Sequence, residues 1–387
     1  LTGFTPSEQN PDISDPGWQF FIKSMSKKRQ IGSFSGLAKK RVFSHLLLEW
    51  NRRENRREMP WKGEKDPYKI WLSEIILQQT RVDQGLGYYN KFIKTFPDIY
   101  KLAKAPEEKV FKLWEGLGYY SRCKNLLHTA KYISNDLAGR FPDTYESIKT
   151  LKGVGPYTAA AISSFAFNLP HAVVDGNVFR VLARVFGIDK PVDSSGGKKH
   201  FTALANELLV KKQPGFYKQA IMDFGAMICK PAPLCGQCVF NKSCYALLNN
   251  KVNELPVKTK KINIRKRWFY YLVMEYRNKV LLRQRVEKDI WQGLYEFPLI
   301  EAESDLLSKK VLQKAEKELL LKKEYEIVSV SPVYKQQLSH QLILGNFIHI
   351  QVKKKPPTQK KWIWTEKNKL KKYAFPKIIN HFLSKQA

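Results

Sequence analysis

The sequence predicts two domains, an all-α domain followed by a smaller α/β domain. Apolar residues recur at helical spacing through residues 41–250, and the later segments are instead rich in aromatic and β-branched residues. With 387 residues, 43% of them hydrophobic, the chain is long enough for two ordinary cores. We assign the all-α domain to 36–253, a basic linker to 254–267 and the α/β domain to 268–387.

The segment 1–35 is expected to be a leader that is disordered or non-native. Its first 24 residues are polar, with three prolines and no apolar core of the signal-peptide type. Met25 opens a basic stretch, and we expect translation to begin there. If the source is prokaryotic, the missing signal and the free cysteines predict a cytoplasmic protein, and we expect a monomer with no membrane partner.

The helices of the first domain are predicted from runs with apolar residues three and four apart, separated by short breaks that contain Pro and Gly. The clearest runs are RVFSHLLLEW (41–50), YKIWLSEIILQQ (68–79), EKVFKLWEGL (108–117) and FYKQAIMDFGAMIC (216–229). In the second domain, WFYYLVMEY and VLLRQR flank a short turn and predict a hairpin. Further strands are expected at 326–334 and 342–352, and helices near 305–321 and 375–384.

The charge of the chain favours a polyanionic partner. Lys and Arg number 67 against 35 Asp and Glu, a formal net charge of +32. A magnitude of about 2–8 suffices for the solubility of a small domain. Nucleic acid is therefore the expected partner, with an anionic membrane as the alternative.

The segment LKGVGPYTAAAI (151–162) predicts a helical hairpin that binds phosphate. Gly153 and Gly155 flank Val154 between two helices, and Pro156 suits the first turn of the second helix. Exposed N–H groups at a helix N-terminus bind phosphate without reading base sequence. The alternative is an ordinary hairpin with a glycine cap.

Two carboxylates are candidate catalytic groups. On a helix, Glu74 has apolar neighbours, so burial should raise its pKa and keep it protonated. The alternative is a buried Glu paired with an Arg. Asp175 directly precedes an amphipathic helix, where it is expected to be the N-cap and to stay ionised. One neutral and one charged acid are the pair that hydrolyses a glycosidic bond.

Four of the five cysteines are expected to hold a metal centre. Cys229, Cys235, Cys238 and Cys244 are separated by five, two and five residues. Zinc sites usually contain two tight pairs, and only one tight pair occurs here. The spacing favours a [4Fe–4S] cluster in the loop 229–244, and zinc stays the alternative.

Together these motifs resemble the adenine-specific DNA glycosylases, the MutY family of the endonuclease III superfamily. The resemblance includes DPYKIWLSEIILQQTRV, WEGLGYYSR, LKGVGPYTAAAI, VVDGNVFRV, IMDFGAMIC and, in the second domain, WQGLYEFP and LSH. It implies a helix–hairpin–helix glycosylase domain with an iron–sulfur loop, followed by a Nudix-like domain. The implied activity is base excision repair on duplex DNA, the removal of adenine mispaired with 8-oxoguanine or with guanine.

The resemblance also implies roles for individual residues. Glu74 would protonate N7 of the flipped adenine, Asp175 would stabilise the sugar cation or attack it, and Asn177 would support Asp175. Tyr157 stands where lyase relatives carry a lysine that forms a Schiff base, so hydrolysis without strand cleavage is expected, with the Tyr157 hydroxyl bonded near Asp175. The residues expected to contact the lesion, the adenine pocket or the DNA stack are Arg57, Leu77, Gln79, Thr80, Tyr119, Ser339 and His340.

The sequence departs from the family pattern in two places. Leu338 replaces the aromatic residue that usually precedes Ser339, and the loop between the first two cluster cysteines is one residue shorter. The second domain also lacks the run of glutamates that would hold Mg²⁺, so pyrophosphate hydrolysis is not expected. The alternatives are a bifunctional glycosylase/lyase of the endonuclease III type, against which Tyr157 argues, and a lesion-binding protein without catalysis, against which the two acids argue.

Overall fold

The structure is a computed structural model, and it describes residues 36–259, 263–319, 324–356 and 362–386. The predicted leader at 1–35 lies outside the described residues. By internal contacts the chain divides into two compact units. The first runs to Ile75 and resumes from Phe141 to the linker near residue 260, and the second comprises Ile76–Arg140 and the chain beyond that linker.

The first unit is helical. Its helices are α1 (Gly36–Arg53), most of α2 (Pro67–Leu77), α7 (Tyr145–Lys149), α8 (Pro156–Phe167), α9 (Gly176–Phe186), α10 (Ser195–Leu208), α11 (Pro214–Met227) and α12 (Tyr245–Leu248). The apolar faces of α1, α9, α10, α11 and α12 form one core, in which Trp50 packs edge-on against Phe224 and Phe43 stacks on Phe240. Burial of such aromatic side chains fixes the positions of α9 and α11, which carry residues of the candidate site.

The second unit combines helices with a mixed sheet. Its helices are α3 (Val82–Thr95), α4 (Ile99–Ala103), α5 (Glu107–Trp114), α6 (Tyr120–Asn135), α13 (Ser308–Glu318) and α14 (Lys377–Ser384). Its strands are β1 (Arg265–Tyr276), β2 (Lys279–Gln284), β3 (Tyr295–Glu296), β4 (Leu299–Ala302), β5 (Tyr325–Val330), β6 (Tyr334–Gln337), β7 (Gln341–Val352) and β8 (Trp362–Glu366).

The sheet is organised around the parallel pair of β1 and β7. Within the described residues its order is β3-β2-β1-β7-β5, while β4 also pairs with β1, β6 with β7 and β8 with β2. The β1–β7 register runs from Arg265 opposite Gln341 to Glu275 opposite Gln351. This register places the β6–β7 turn, residues 338–340, beside the beginning of β1.

The structure differs from the sequence-based expectation at several boundaries. β1 begins at Arg265, three residues before the expected start of the α/β domain at 268, because Arg265 N donates to His340 O. The expected strand at 326–334 is divided into β5 and β6 around Pro332. Among the described residues, no helix is long and apolar enough to cross a membrane.

Candidate active site

Glu74 is brought to the site by α2. Asp66 begins this helix by accepting a hydrogen bond from Tyr68 N at 2.9 Å, with Pro67 in the first turn. The flanking residues Ser73 and Ile75 are buried, whereas Glu74 keeps partial exposure. Burial raises the pKa of Glu74, the Lys218 ammonium opposes that rise, and the Asp175 carboxylate adds to it. The direction is the one expected for an acid that must hold a proton.

Asp175 is the N-cap of α9, as expected from the sequence. Its Oδ1 accepts from Val178 N at 2.8 Å, and its Oδ2 accepts from Asn177 Nδ2 at 3.1 Å. Asn177 is itself held, because its Oδ1 accepts from Arg180 at 2.8 Å. The carboxylate is therefore fixed by one backbone and one side-chain donor.

The pKa of Asp175 shifts in a direction that the helix cap alone does not predict. Burial raises its pKa, and the hydrogen bonds from Val178 N and Asn177 lower it without reversing that direction. The sequence showed the cap but not the depth at which the cap lies. Burial of the carboxylate outweighs stabilisation by the helix end.

Tyr157 lies in the first turn of α8, where the charges of both Glu74 and Asp175 act on its hydroxyl. Burial raises its pKa well above the usual range, and the charges of Glu74 and Asp175 raise it further. The expected hydrogen bond near Asp175 is not the one found, since the Tyr157 hydroxyl donates to Met222 Sδ at 3.8 Å. The phenol is therefore neutral and donates to a weak acceptor, the Met222 sulfur. The charges of both carboxylates affect its pKa.

Arg57 has a partner that the sequence analysis missed. Its Nη1 donates at 2.9 Å to Oδ1 of Asp223, whose side chain is fully buried on α11. Asn55 and Gln219 each donate to the other carboxylate oxygen at 2.9 Å. An aspartate within the apolar segment IMDFG was the available signal, because such a carboxylate is stable only when paired.

The hairpin between α7 and α8 has the backbone expected of a phosphate site. Gly153 has φ +83°, a left-handed conformation that favours glycine, and Gly155 is the N-cap of α8. Val154 is buried and anchors the turn, while both glycines are exposed. The N-terminus of α8 therefore faces solvent.

In the second unit, Arg122 organises the residues expected at the DNA stack. Its Nη1 donates to Ile76 O at 2.8 Å and Gln78 O at 2.6 Å, and its Nη2 donates to Thr80 Oγ1 at 3.2 Å. Its guanidinium also lies 5.4 Å from the Tyr119 ring centroid. One buried cation thus holds residues 76–80 against the turn that precedes α6, a role that sequence analysis did not assign.

The expected stack residues differ in what surrounds them. Gln79 is exposed at φ +53° and Tyr119 is 43% exposed at φ +47°, so both side chains project from left-handed turns. Leu77 instead packs on α3, where a Cβ added to Gly85 would lie 2.7 Å from Leu77 Cδ2. Strained, exposed turns are frequent at binding sites, whereas Leu77 also has a packing role.

The β6–β7 turn joins this group. Ser339 and His340 are exposed, and the Ser339 hydroxyl forms a hydrogen bond with the Tyr119 hydroxyl. Nearby, Glu115 joins the segment before α6 to the start of α14, because its Oε1 accepts from Phe375 N at 2.8 Å and from Asn380 Nδ2 at 2.9 Å. Residues that are 220 positions apart in sequence, Tyr119 and Ser339, therefore meet at one exposed point.

The four clustered cysteines line one cavity together with Arg184. Arg184 Nη1 donates to Cys229 Sγ at 3.7 Å, and Phe240 N donates to Cys238 Sγ at 3.4 Å. Donors aimed at sulfur suit thiolates that carry negative charge. Within the part of the chain described, no group of three or more His, Cys, Asp or Glu side chains is arranged to hold a metal ion as it stands.

These features belong to a known class of repair protein. Residues 72–206 match the HhH-GPD superfamily of base excision DNA repair proteins, and residues 269–385 match the NUDIX domain. The solved structure of a thermostable thymine-DNA glycosylase is similar, with a TM-score of 0.51 and 31% identity over 55% of this chain and 98% of that one.

The particular family follows from the sequence relatives. The adenine DNA glycosylase of Buchnera aphidicola subsp. Baizongia pistaciae is 35% identical over 348 residues, 89% of this chain and 96% of the relative. That of Rattus norvegicus is 40% identical over 223 residues, 55% of this chain and 43% of the relative. The chain belongs to the adenine DNA glycosylase family, which confirms the family and the fold class expected from the sequence.

Proposed function

We propose that this protein removes adenine opposite 8-oxoguanine, or opposite guanine, from duplex DNA in base excision repair. The observation that carries the proposal is the convergence of Glu74 and Asp175 on Tyr157, whose pKa both charges raise. The charges of two acids from separate helices thus act on the same phenol. The net charge of +32 supports a DNA partner, and binding should weaken steeply with salt. We propose a monomer that, if the source is prokaryotic, is located in the cytoplasm in association with the nucleoid.

Glu74 is proposed as the general acid. The leaving adenine must accept a proton at N7, because an adenine anion is a poor leaving group. A carboxyl group whose pKa is raised by burial holds its proton to higher pH than a solvated carboxyl group does. The extruded base would enter beside α2, at a cost in unstacking that a mispair reduces.

Asp175 is proposed to stabilise the oxocarbenium-like sugar, or to attack it. Its Oδ1 is held by Val178 N and its Oδ2 by Asn177. Fixed in this way, the carboxylate does not need to reorient as positive charge develops on the sugar. Asn177 and the Arg180 that holds it are therefore positioning residues.

Tyr157 supports a monofunctional reaction. A phenol cannot form an imine with the sugar aldehyde, and burial keeps this phenol neutral. Water would complete the reaction and leave an abasic site in an unbroken strand. The competing bifunctional reaction would break the strand without added alkali.

The proposed function is tested by single-turnover excision from duplexes that carry adenine opposite 8-oxoguanine, guanine or thymine. We expect adenine release that is fastest opposite 8-oxoguanine, with strand breaks appearing only after alkali. Breaks without alkali, together with borohydride trapping of a covalent complex, would favour the lyase. Tight lesion binding with no adenine release from any duplex would favour the non-catalytic alternative.

Lesion reading is proposed for the group formed by Tyr119, Ser339 and His340, with Gln79 and Thr80 beside it. The hydrogen bond between the Tyr119 and Ser339 hydroxyls brings the two parts of the chain together. We propose that the glycines of the α7–α8 hairpin bind the backbone phosphates. Arg57 and Leu77 are proposed to line the pockets for adenine and lesion.

Ser339→Ala is expected to lower the preference for 8-oxoguanine over guanine opposite adenine by roughly fivefold, since one hydrogen bond is worth about 1 kcal/mol. The preference is measured as the ratio of single-turnover rates on the two duplexes. Ser384→Ala, a substitution at the exposed end of α14, serves as the control. An unchanged ratio for Ser339→Ala would refute the role given to the turn.

We propose that Cys229, Cys235, Cys238 and Cys244 ligate a [4Fe–4S] cluster, with zinc as the alternative. The supporting observations are the shared cavity and the donors directed at Cys229 and Cys238. When bound, such a cluster would cross-link the loop 229–244. The loop that is one residue shorter than the family pattern does not prevent all four cysteines from lining the same cavity.

Purified protein is expected to show a broad absorption near ~400 nm and about four iron atoms per chain, the signature of a cysteine-ligated [4Fe–4S] cluster. Cys238→Ser should lose both signals, whereas Cys123→Ser should retain them because Cys123 lies on α6, outside the cavity. Stoichiometric zinc without iron would establish the alternative.

A further inference from the structure

Lys218, on α11, is a buried cation that the proposed mechanism does not use. Its side chain is 1% exposed, and among the described residues its ammonium has no hydrogen-bond partner. Its Nζ lies 4.2 Å from the ring centroid of Phe165 and 5.8 Å from that of Tyr157. An ammonium is normally strongly hydrated, so its burial without a hydrogen bond is costly.

The surroundings of Lys218 explain how the charge is tolerated. Both rings belong to α8, and an aromatic face attracts a cation. The ionisable groups that act on the ammonium are Glu74 from α2 and Asp175 at the start of α9, and the phenol of Tyr157 lies beside it. The interior cation therefore lies beside the Tyr157 ring and interacts electrostatically with both acids of the candidate active site.

We propose that Lys218 is a positioning residue of this active site, which holds its ammonium against the Tyr157 ring as the counter-charge to Glu74 and Asp175. The inference rests on the proposed function, because it concerns the same two acids. We do not propose that Lys218 contacts DNA, since its side chain is buried.

The direction of the effect follows from electrostatics. A nearby cation favours the ionised form of a carboxyl group, so Lys218 lowers the pKa of Glu74 against the larger effect of burial. Burial lowers the pKa of Lys218 itself to about 7, although both carboxylates oppose that shift. Because each of the two groups shifts the pKa of the other, the pH range of excision belongs to the pair.

The test compares pH profiles of single-turnover adenine excision. In Lys218→Met, Glu74 should keep its proton to higher pH, which moves the alkaline limb upward by about 1 pH unit. Lys218→Arg keeps a permanent cation, and its alkaline limb should lie at or below the wild-type value. Tyr217→Phe, at the neighbouring buried position on α11, changes no charge near neutral pH and should leave the limb unmoved.

The result that would overturn the inference is an alkaline limb that stays in place in Lys218→Met, or that moves equally in Tyr217→Phe. In the first case the cation has no influence on the acid. In the second case the change reflects packing of α11 rather than charge.

A second measurement does not depend on catalysis. Unfolding temperatures of the wild type, Glu74→Gln, Lys218→Met and the double variant form a thermodynamic cycle at pH 7. We expect the unfolding temperature of the double variant to be roughly 2 °C or more higher than the value obtained by adding the two single changes. The reason is that each single substitution leaves its partner buried without a counter-charge.

The two measurements separate this inference from the proposed function. If the changes in unfolding temperature are additive and adenine excision is normal, only the role given to Lys218 is refuted. Non-additive temperatures in a protein that releases no adenine would refute the proposed function and leave the coupling between Lys218 and Glu74 established.

Discussion

Glu74→Gln is expected to reduce adenine excision by about 10²–10⁴-fold, the usual worth of a general acid. The amide has nearly the shape of the carboxyl group but cannot deliver a proton to the leaving base. Binding to the lesion duplex should be retained, because on the proposed mechanism only the proton donor is lost. Single-turnover rates and binding to the same duplex are measured together.

The matched control is Glu303→Gln, which removes an exposed carboxylate from the second unit. It should excise at the wild-type rate. Wild-type excision by Glu74→Gln would show that the proton comes from elsewhere. Loss of lesion binding together with excision would instead indicate that Glu74 is needed for the fold of the site.

Asp175→Asn is expected to reduce excision by about 10²–10³-fold, as the removal of one preorganised electrostatic group typically does. The amide keeps the shape of the side chain but loses the negative charge opposite the sugar cation. The free energy of unfolding should change by about 1 kcal/mol or less, because Asn is also a good N-cap. The combination of large catalytic loss and small stability loss is the diagnostic result.

Excision rate and urea denaturation are the two measurements for this variant. Asp98→Asn is the control, because Asp98 is the N-cap of α4 and accepts from Lys101 N at 2.8 Å, as Asp175 does from Val178 N. Both variants should have similar stability, and only Asp175→Asn should lose activity. An Asp175→Asn enzyme that is both folded and fully active would exclude the proposed role.

Features that depend on neighbouring residues could be predicted from the sequence. The cap at Asp175 needs only the helix that follows it, and the hairpin at Gly153 and Gly155 needs only the helices on either side. The hairpin of β1 and β2, the strand β7 and the helices α13 and α14 also followed from local patterns, whereas β3, β4 and β8 were not predicted. Their exact ends did not, because hydrogen bonds such as Arg265 N to His340 O depend on a partner strand.

Features that depend on distant residues could not be predicted. Asp223 pairs with Arg57 across 166 positions of sequence, and nothing in either local pattern identifies the other partner. Lys218 stands in an amphipathic run where a lysine is normally solvated, and only packing shows that it is buried. The raised pKa of Asp175 was missed for the same reason, since depth of burial is a property of the assembled helices.

Arg180 gives the cysteine loop a mechanical connection to the proposed catalytic carboxylate. Its Nη2 donates to Asn177 Oδ1 at 2.8 Å and to Gly225 O at 2.7 Å, and its Nε donates to Cys229 O at 2.7 Å. A disturbance at the first cysteine would therefore displace the amide that orients Asp175. We therefore expect oxidation of the loop to reduce activity before it unfolds the helices.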